Sequence, residues 1–362
     1  MRILTVCVVL LPLCAQAQSS AGSQGRPAVS LSNEKIELTV LTTGGTITSV
    51  VLRDAGERLS PLAAMGHFLC LDGFGAPSAE ESKAGMPFHG EASKQLWKTV
   101  DSQSSGKVRS VTLATSLPLA QENLMRRLQI VDGENVVYIE SELESLVGVD
   151  RPISWAEHAT LGPPFLEKGK VVVDMPAAQC RVRAEKPGPI PGRLIPLRDF
   201  TWPLAPTRDG GQADLRAIPT DRNWLDLASC QVDPKRTLGF VTALQLEKRL
   251  LLGYVFRREE YPWIMSWMNY TGDARAARGM EFSTQPFDIS HRETLALNPL
   301  FGTPTFRWLP AKGKIGSRFL VFYTPAPEGM TRVDEITLSQ GQLIIVDRTA
   351  DKRIVLNVSM PL

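Results

Sequence analysis

Cysteine and histidine are scarce in this sequence, and their scarcity limits the kinds of site that it can build. The 362 residues include five cysteines and four histidines. Two cysteines lie in the first eighteen residues, and the others are Cys70, Cys180 and Cys230. No C-x-x-C or similar metal-ligand spacing occurs, so no metal site is predicted. The three later cysteines allow at most one disulfide, and we expect the odd thiol to be buried.

Excess charge and long apolar stretches are also lacking. Lysine and arginine total 40 against 38 aspartates and glutamates, a formal net charge of +2. This balance gives no indication of a nucleic acid or an anionic membrane surface as a partner. A transmembrane helix needs about 20 apolar residues to cross about 30 Å of hydrocarbon. No segment offers such a stretch, so we predict no integral membrane segment.

The N-terminal residues have the pattern of a secretory signal peptide. Arg2 precedes an apolar run at residues 3–13, and the small-residue sequence Ala-Gln-Ala follows at positions 15–17. This pattern predicts a signal peptide over residues 1–17, and hence export to the periplasm or the exterior. Residues 18–30 are predicted to form a flexible leader, because residues 18–26 are rich in Ser and Gly.

Strand patterns dominate the rest of the chain. Apolar residues alternate with polar ones at residues 35–41, and Gly44 and Gly45 then predict a hairpin turn into a strand at residues 46–52. Further strands are predicted at residues 108–115, 135–143, 171–174, 238–244, 250–256, 318–323, 343–347 and 353–360. Long amphipathic helical patterns are absent. We therefore predict an all-β protein, with residues 31–362 forming a single domain.

A stretch rich in Pro and Gly at residues 186–211 has the composition of a linker or a long loop. Strand-like runs of the same character lie on both sides of it, which favours a loop within one domain. Long loops on β scaffolds often carry binding residues.

Two of the four histidines lie in unusual settings. His89 lies in the sequence Gly-Met-Pro-Phe-His-Gly at residues 85–90, which is typical of a tight, exposed loop that a ligand can approach. His158 lies at a predicted strand end, beside Trp155 and a double-proline turn. A hydrogen-bonded structural histidine is the alternative for each, and it is the interpretation that we keep for His67 and His291.

A third candidate, Glu281, lies between Met280 and Phe282 in a short strand-like segment that ends at a Gln-Pro turn. On a strand, such a carboxylate can face solvent on the side opposite its apolar neighbours. Burial would instead raise its pKa and make it a candidate general base.

These three segments, in this order, resemble the galactose mutarotase-like family of aldose 1-epimerases and related sugar-phosphate epimerases. His89 and Gly90 form the His-Gly loop, His158 follows after 69 positions, and Glu281 follows after 123 more. The segments at residues 71–75 and 267–270 fit the same pattern. The resemblance implies a large antiparallel β-sandwich, the galactose mutarotase-like supersandwich, which binds a sugar in an open groove.

The resemblance also implies roles for the three residues. Glu281 would take the proton of the C1 hydroxyl, His158 would give one to the ring oxygen, and His89 would hold a sugar oxygen by a hydrogen bond. Neither a metal nor an organic cofactor is required. The expected partner is a small sugar or the end of a glycan, and the oligomeric state is left open.

Further binding residues are predicted less directly. Aromatic rings suit the apolar faces of sugars, and Trp155, Trp267 and Trp97 lie nearest the motifs, although each can equally fill the core. Asp226 is the best-placed match to the family's binding aspartate, with a surface aspartate as the alternative. Glu157 is not supported as a base, because neighbours on a strand point to opposite faces.

Two other functions remain open from the sequence. The family has an Asn-Arg pair before the His-Gly loop, whereas residues 63–75 contain no arginine, which favours a carbohydrate-binding protein without turnover. A polysaccharide lyase or hydrolase would need a tyrosine or a second carboxylate at the scissile bond. Tyr254, Tyr261 and Tyr270 lie in the appropriate part of the chain, but none lies in a recognised motif.

Overall fold

We analysed a computed structural model of the chain. The structure describes residues 25–362 except 187, 220–223 and 273–274. The predicted signal peptide at residues 1–17 lies outside the described residues. Within the described residues, no helix combines the length and the apolar character needed to cross a membrane.

The described chain forms strands and two short helices. In chain order these elements are β1 Ala28–Ser32, β2 Ile36–Leu41, β3 Ile47–Leu52, β4 Leu62–Leu71, α1 Ala79–Lys83, β5 Lys98–Ser105, β6 Val108–Leu117, β7 Glu122–Val131, β8 Val136–Ser145, β9 Arg151–Ile153, β10 Trp155–Leu161, β11 Val171–Asp174, β12 Ala177–Val182, β13 Asp199–Thr201, β14 Leu204–Pro206, β15 Gln212–Asp214, β16 Leu225–Val232, β17 Leu238–Gln245, β18 Leu250–Arg257, β19 Trp263–Asn269, β20 Ala277–Gly279, β21 Glu281–Ser283, α2 His291–Ala296, β22 Arg307–Leu309, β23 Lys314–Pro325, β24 Glu335–Ser339, β25 Gln342–Asp347 and β26 Lys352–Asn357.

Two large antiparallel sheets make up the body of the fold. The first has eleven strands in the order β1-β2-β3-β4-β10-β20-β19-β16-β12-β13, with β21 placed between β10 and β19 beside β20. The second has eight strands in the order β11-β17-β18-β23-β8-β7-β6-β5. A three-stranded sheet, β24-β25-β26, and two two-stranded pairs, β14-β15 and β22-β9, complete the described strands. The prediction of an all-β antiparallel sandwich is confirmed.

The eight-stranded sheet is covered on both faces, and the alternation of side chains along its strands explains how. In β8, Val137 and Ile139 point into the main core against the eleven-stranded sheet. Val136 and Tyr138 point the other way, into a second core shared with β24, β25 and β26. Burying each large apolar side chain contributes about 1.5–3 kcal/mol, so both faces stabilise the sheet.

Most predicted strands are found within a few residues of their predicted bounds. The hairpin between β2 and β3 turns at Gly44 and Gly45, whose φ angles of 72° and 56° lie in the left-handed region that glycine adopts readily. β1 begins at Ala28, which lies inside the segment predicted as a flexible leader, and pairs with β2. The predicted loop at residues 186–211 contains the short strands β13 and β14.

The cysteines are arranged as expected. Cys180 and Cys230 are opposite each other on β12 and β16 and form a disulfide. Cys70 is a free, buried thiol. The disulfide therefore ties together two strands near the edge of the eleven-stranded sheet.

Candidate active site

The site is built on the outer face of the eleven-stranded sheet, around His158 on β10. Trp155, Glu157, Ala159 and Leu161 occupy odd positions of this strand, and three of them belong to the main core. His158 points to the opposite face, where its register partner on β4 is Phe68. The Phe68 and His158 rings stack with centroids 4.4 Å apart. This stacking fixes the plane of the imidazole.

Glu281 is positioned by an interruption in the neighbouring strand. β20 and β21 follow each other along the same position in the sheet, between β10 and β19. The strand is interrupted at Met280, whose N–H donates to the carbonyl of Ala159. Glu281 starts β21 directly after this break, and its Oε1 lies 3.5 Å from Nε2 of His158. A side chain on Gly279 would overlap that carboxyl, so the glycine makes room for it.

His89 reaches the same place from the loop after α1. Its φ of 67° is in the left-handed region, and Gly90 has no room for a Cβ because the carbonyl of Leu71 lies against it. Two hydrogen bonds with Gly75 hold His89: its N–H donates to the Gly75 carbonyl at 3.0 Å, and its Nδ1 accepts from the Gly75 N–H at 3.1 Å. The His89 and His158 rings are 5.0 Å apart. The structure thus brings the three predicted residues together.

The protonation states of these groups follow from their burial. Burial, and then the nearby charge of Asp288, raise the pKa of Glu281 well above its usual 4.5. Burial lowers the pKa of His158 well below 6.5, and burial with the charges of Lys94 and Lys186 lowers the pKa of His89 to about 4. Burial therefore favours the protonated form of the Glu281 carboxyl and the neutral form of both imidazoles.

Neither carboxyl oxygen of Glu281 has a hydrogen-bond partner among the described residues, although the residue is only 1% exposed. Buried polar atoms are normally paired, and exceptions concentrate at functional sites. The Glu281 carboxyl is therefore free to exchange protons with His158 or with a ligand.

Because Nδ1 of His89 accepts a hydrogen bond from a main-chain N–H, neutral His89 carries its proton on Nε2. That nitrogen is a donor only. His89 is half-buried rather than exposed as the sequence predicted. The arrangement suits a residue that binds an oxygen atom, and not one that removes a proton.

A charged network lies directly behind the site, on the core face of β10. Glu157 accepts from Arg126 at 2.5 Å, from His67 at 2.9 Å and from Trp155 at 3.1 Å. Burial alone would raise the pKa of Glu157, but the Arg126 charge and the His67 bond outweigh it and lower the pKa to about 2. This network confirms the structural role expected for His67 and places Glu157 on the face opposite His158.

Trp155 belongs to this network and not to the ligand site. Its side chain is fully buried in the main core, and its indole nitrogen donates to Glu157. The prediction that Trp155 contacts substrate is therefore wrong. Trp97 is likewise buried, with its indole N–H bonded to the carbonyl of Ala92.

A cavity of about 820 Å³ lies near the three residues, although none of them is among the described residues that line it. Two aromatic rings on its wall touch the site: Phe88 lies 4.1 Å from the ring of His89, and Trp267 lies 6.4 Å from the ring of His158. The volume lies in the range of about 300–1,000 Å³ that small-molecule sites occupy. Trp267 therefore lines this cavity, and its contact with a sugar stays a prediction.

Asp226 also lines this cavity, but its carboxylate is engaged by the protein. Oδ2 accepts from the N–H groups of Arg193 and Leu194 at 2.7 and 3.3 Å. Burial raises the pKa of Asp226 to about 6, although these two bonds oppose the rise. The residue anchors the loop that forms one wall of the cavity, and a direct contact with a ligand stays a prediction.

A charged cluster lies on the cavity wall, and no motif in the sequence predicted it. Asp288 accepts from Arg183 at 2.8 Å and from Lys186 at 2.7 Å, and the charges of Asp288 and Arg183 both act on Glu281. These residues come from segments about 100 positions apart in sequence, and no local motif marks them. Arg183 places a guanidinium near the site, although residues 63–75 contain none.

The three tyrosines considered for a lyase all lie in the core. Tyr254, Tyr261 and Tyr270 are at most 1% exposed. The Tyr261 hydroxyl bonds to Ser317, and the Tyr270 hydroxyl accepts from Arg278. None of them lines the cavity. Among the residues that the structure describes, no group of three or more His, Cys, Asp or Glu side chains is arranged to hold a metal ion.

Several solved structures are similar to this chain. A galactose mutarotase related enzyme from Lactobacillus acidophilus is 13% identical, with a TM-score of 0.56 over 86% of this chain and 100% of that chain. A galactose mutarotase-like protein from Clostridium acetobutylicum is 12% identical, with a TM-score of 0.57 over 83% and 96%. One from Lactobacillus casei is 11% identical, with a TM-score of 0.56 over 82% and 100%.

No protein-family model matches the sequence, and no curated protein matches it. The similarity to solved structures therefore carries the comparison. It shows that the chain has the galactose mutarotase-like fold, as the resemblance of its motifs implied. A fold shared at such low identity does not by itself fix the activity.

Proposed function

We propose that this protein is an exported isomerase of the aldose 1-epimerase type, which interconverts the anomers of a sugar. The observation that carries the proposal is the pair formed by Glu281 and His158. A buried carboxyl without a hydrogen-bond partner among the described residues lies 3.5 Å from an imidazole nitrogen. The ring of Trp267 separates that imidazole from a ligand-sized cavity. The predicted signal peptide supports export.

The pair holds one exchangeable proton. In the resting protein this proton is on Glu281, and its transfer to Nε2 of His158 creates a carboxylate base and an imidazolium acid. These are the two groups that opening of a hemiacetal requires. Because the proton stays within the pair, the transfer changes neither its net charge nor its proton count.

Ring opening then proceeds with both protons accounted for. Glu281 takes the proton of the C1 hydroxyl while His158 gives its Nε2 proton to the ring oxygen, and the bond from C1 to that oxygen breaks as the C1 carbonyl forms. Rotation about the bond from C1 to C2 presents the other face of the carbonyl. The reverse transfers close the opposite anomer and restore both groups.

The surrounding residues supply binding. Neutral His89 donates from Nε2 to a sugar oxygen, since Gly75 occupies its Nδ1. Trp267 offers its ring to the apolar face of the sugar. Arg183 offers a guanidinium from the cavity wall to the sugar hydroxyls, in place of the arginine that is lacking at residues 63–75.

A sugar-binding protein without turnover is the second candidate. The ion pair between Arg183 and Asp288 at 2.8 Å favours this alternative. The Arg183 guanidinium is already bound to Asp288, whereas the isomerase needs it to bind the sugar. On this alternative the cavity binds a sugar, and the pair of Glu281 and His158 does not accelerate anomer exchange.

Anomer exchange on freshly dissolved aldoses, followed by polarimetry or NMR, tests the proposal. The wild-type rate should rise in proportion to protein concentration. Glu281→Gln and His158→Asn should each lower the rate by about 10²–10⁴-fold, the contribution typical of a general acid or base. Glu142→Gln, in an exposed ion pair with Lys314, and His291→Asn are the matched controls and should keep the wild-type rate.

The outcomes separate the candidates. A spontaneous rate at every protein concentration, together with saturable sugar binding, would replace the isomerase with the binding protein. A protein-dependent rate that survives in both Glu281→Gln and His158→Asn would locate catalysis elsewhere in the molecule.

A further inference from the structure

Thr160 touches the second ring nitrogen of His158. The two residues are two positions apart on β10 and therefore share a face of the sheet. Oγ1 of Thr160 lies 3.1 Å from Nδ1 of His158, and Thr160 is fully buried. A hydroxyl can donate to this nitrogen or accept from it, so the direction of the bond sets the position of the imidazole proton.

The surroundings of Nε2, the other ring nitrogen, decide which atom donates in the hydrogen bond between Thr160 and Nδ1. Nε2 of His158 lies 3.5 Å from Oε1 of Glu281, and burial raises the pKa of that carboxyl. In the proposed function Nε2 takes a proton from Glu281, and a neutral imidazole can do so only if Nε2 is without a proton. The single proton of the neutral imidazole then lies on Nδ1, where the oxygen of Thr160 is the acceptor.

The two histidines of the site thus differ. The Gly75 N–H can only donate, so it holds His89 with its proton on Nε2. His158 has the opposite requirement, because the proposed function moves a proton onto and off its Nε2. An acceptor beside Nδ1 serves both the neutral imidazole and the imidazolium, since each carries Nδ1–H.

We propose that Thr160 is a positioning residue that holds His158 as the Nδ1–H tautomer and so keeps Nε2 open to the proton of Glu281. This inference rests on the proposed function for its catalytic consequence. The tautomer itself is a property of the protein without substrate.

The experiment measures the tautomer and the rate separately. Imidazole ¹⁵N NMR of the protein labelled at its four histidines should show neutral His158 protonated at Nδ1 and neutral His89 protonated at Nε2. Thr160→Val keeps the shape of the side chain but removes the acceptor, and should shift His158 toward the Nε2–H form. Thr160→Ser should restore the wild-type spectrum.

The kinetic expectation is a lower kcat with little change in KM. We expect a decrease of about tenfold in Thr160→Val, which corresponds to about 1.4 kcal/mol, with recovery in Thr160→Ser. Thr242→Val, at a buried threonine of β17 in the other large sheet, is the matched control and should change neither tautomer nor rate.

The possible results test the role of Thr160 and the proposed isomerase separately. Wild-type His158 protonated at Nε2 would overturn the inference, even if Thr160→Val does not fold, and so would an unchanged tautomer in that variant. A tautomer that shifts as expected in a protein that does not accelerate mutarotation would uphold the role of Thr160 and refute the proposed isomerase.

Discussion

Gly279→Ala is the most direct perturbation of the geometry at Glu281, because it leaves every functional group in place. A methyl group at position 279 would overlap Oε1 of Glu281 and lie 3.0 Å from its Cδ and from Cβ of Trp267. The φ of Gly279 is outside the left-handed region, so the backbone itself accepts alanine. Relief must come mainly from the Glu281 side chain, which would move away from His158.

A displacement of about 1 Å at a reacting group can cost about 10²-fold in rate. We therefore expect Gly279→Ala to lower kcat for anomer exchange by about that factor. Overpacking a core typically costs about 1–3 kcal/mol, so urea unfolding should show a modest loss of stability in a protein that remains folded.

Gly316→Ala provides the matched control. Gly316 also lies within a strand, β23, but a methyl group there would be 3.4 Å from the Ser141 carbonyl, an ordinary contact. This variant should keep the wild-type rate. Wild-type turnover in folded Gly279→Ala, or an equal loss in Gly316→Ala, would refute the reasoning that the Glu281 position controls the rate.

Three further predictions address protonation and stability. The rate of anomer exchange should stay level as pH falls through 6.5 and decline only at lower pH. The reason is that burial holds the pKa of His158 well below 6.5 and that of Glu281 well above 4.5. A rate that halves near pH 6.5 would contradict the proposal that the pair holds one exchangeable proton. Glu157→Gln should lower the free energy of unfolding in urea by about 3–5 kcal/mol, because it leaves a buried guanidinium uncompensated. Since the pKa of Glu157 is depressed to about 2, this difference from wild type should shrink as pH falls from 4.5 toward 2, and a constant difference would argue against the ion pair. Cys180→Ser should cost about 2–4 kcal/mol, because the disulfide closes a loop with a sequence separation of 50, and an unchanged unfolding midpoint would show that the disulfide does not form.

Strands that the sequence predicted well have either alternating polarity, as in β2, or a nearly continuous apolar run, as in β17 and β18. β2 alternates buried and half-buried residues over most of its length, and the turn at Gly44 and Gly45 gives its end. The sequence of β10 predicts only a strand end, because the buried polar residues Glu157, His158 and Thr160 interrupt its apolar residues without a period of two. The strand that carries His158 was therefore among the least visible in the sequence.

The error at Trp155 has a simple cause. Trp155 and His158 are three positions apart, and on a strand such residues point to opposite faces. The same alternation correctly separated Glu157 from His158. Proximity in sequence suggested a shared site, whereas the strand geometry places the tryptophan in the core.

The sequence by itself determined the strand content, the hairpin and the limit of one disulfide. It also identified His89, His158 and Glu281 as candidate active-site residues. These depend on local patterns of two to ten residues and on the order of short motifs. Tertiary structure alone decided that the three residues meet: strand register between β10 and β21 sets the distance from His158 to Glu281, and hydrogen bonds with Gly75 hold the His89 loop. It also decided the pKa shifts of Glu281 and His158, since burial by distant segments, and not the neighbouring sequence, raises the one and lowers the other.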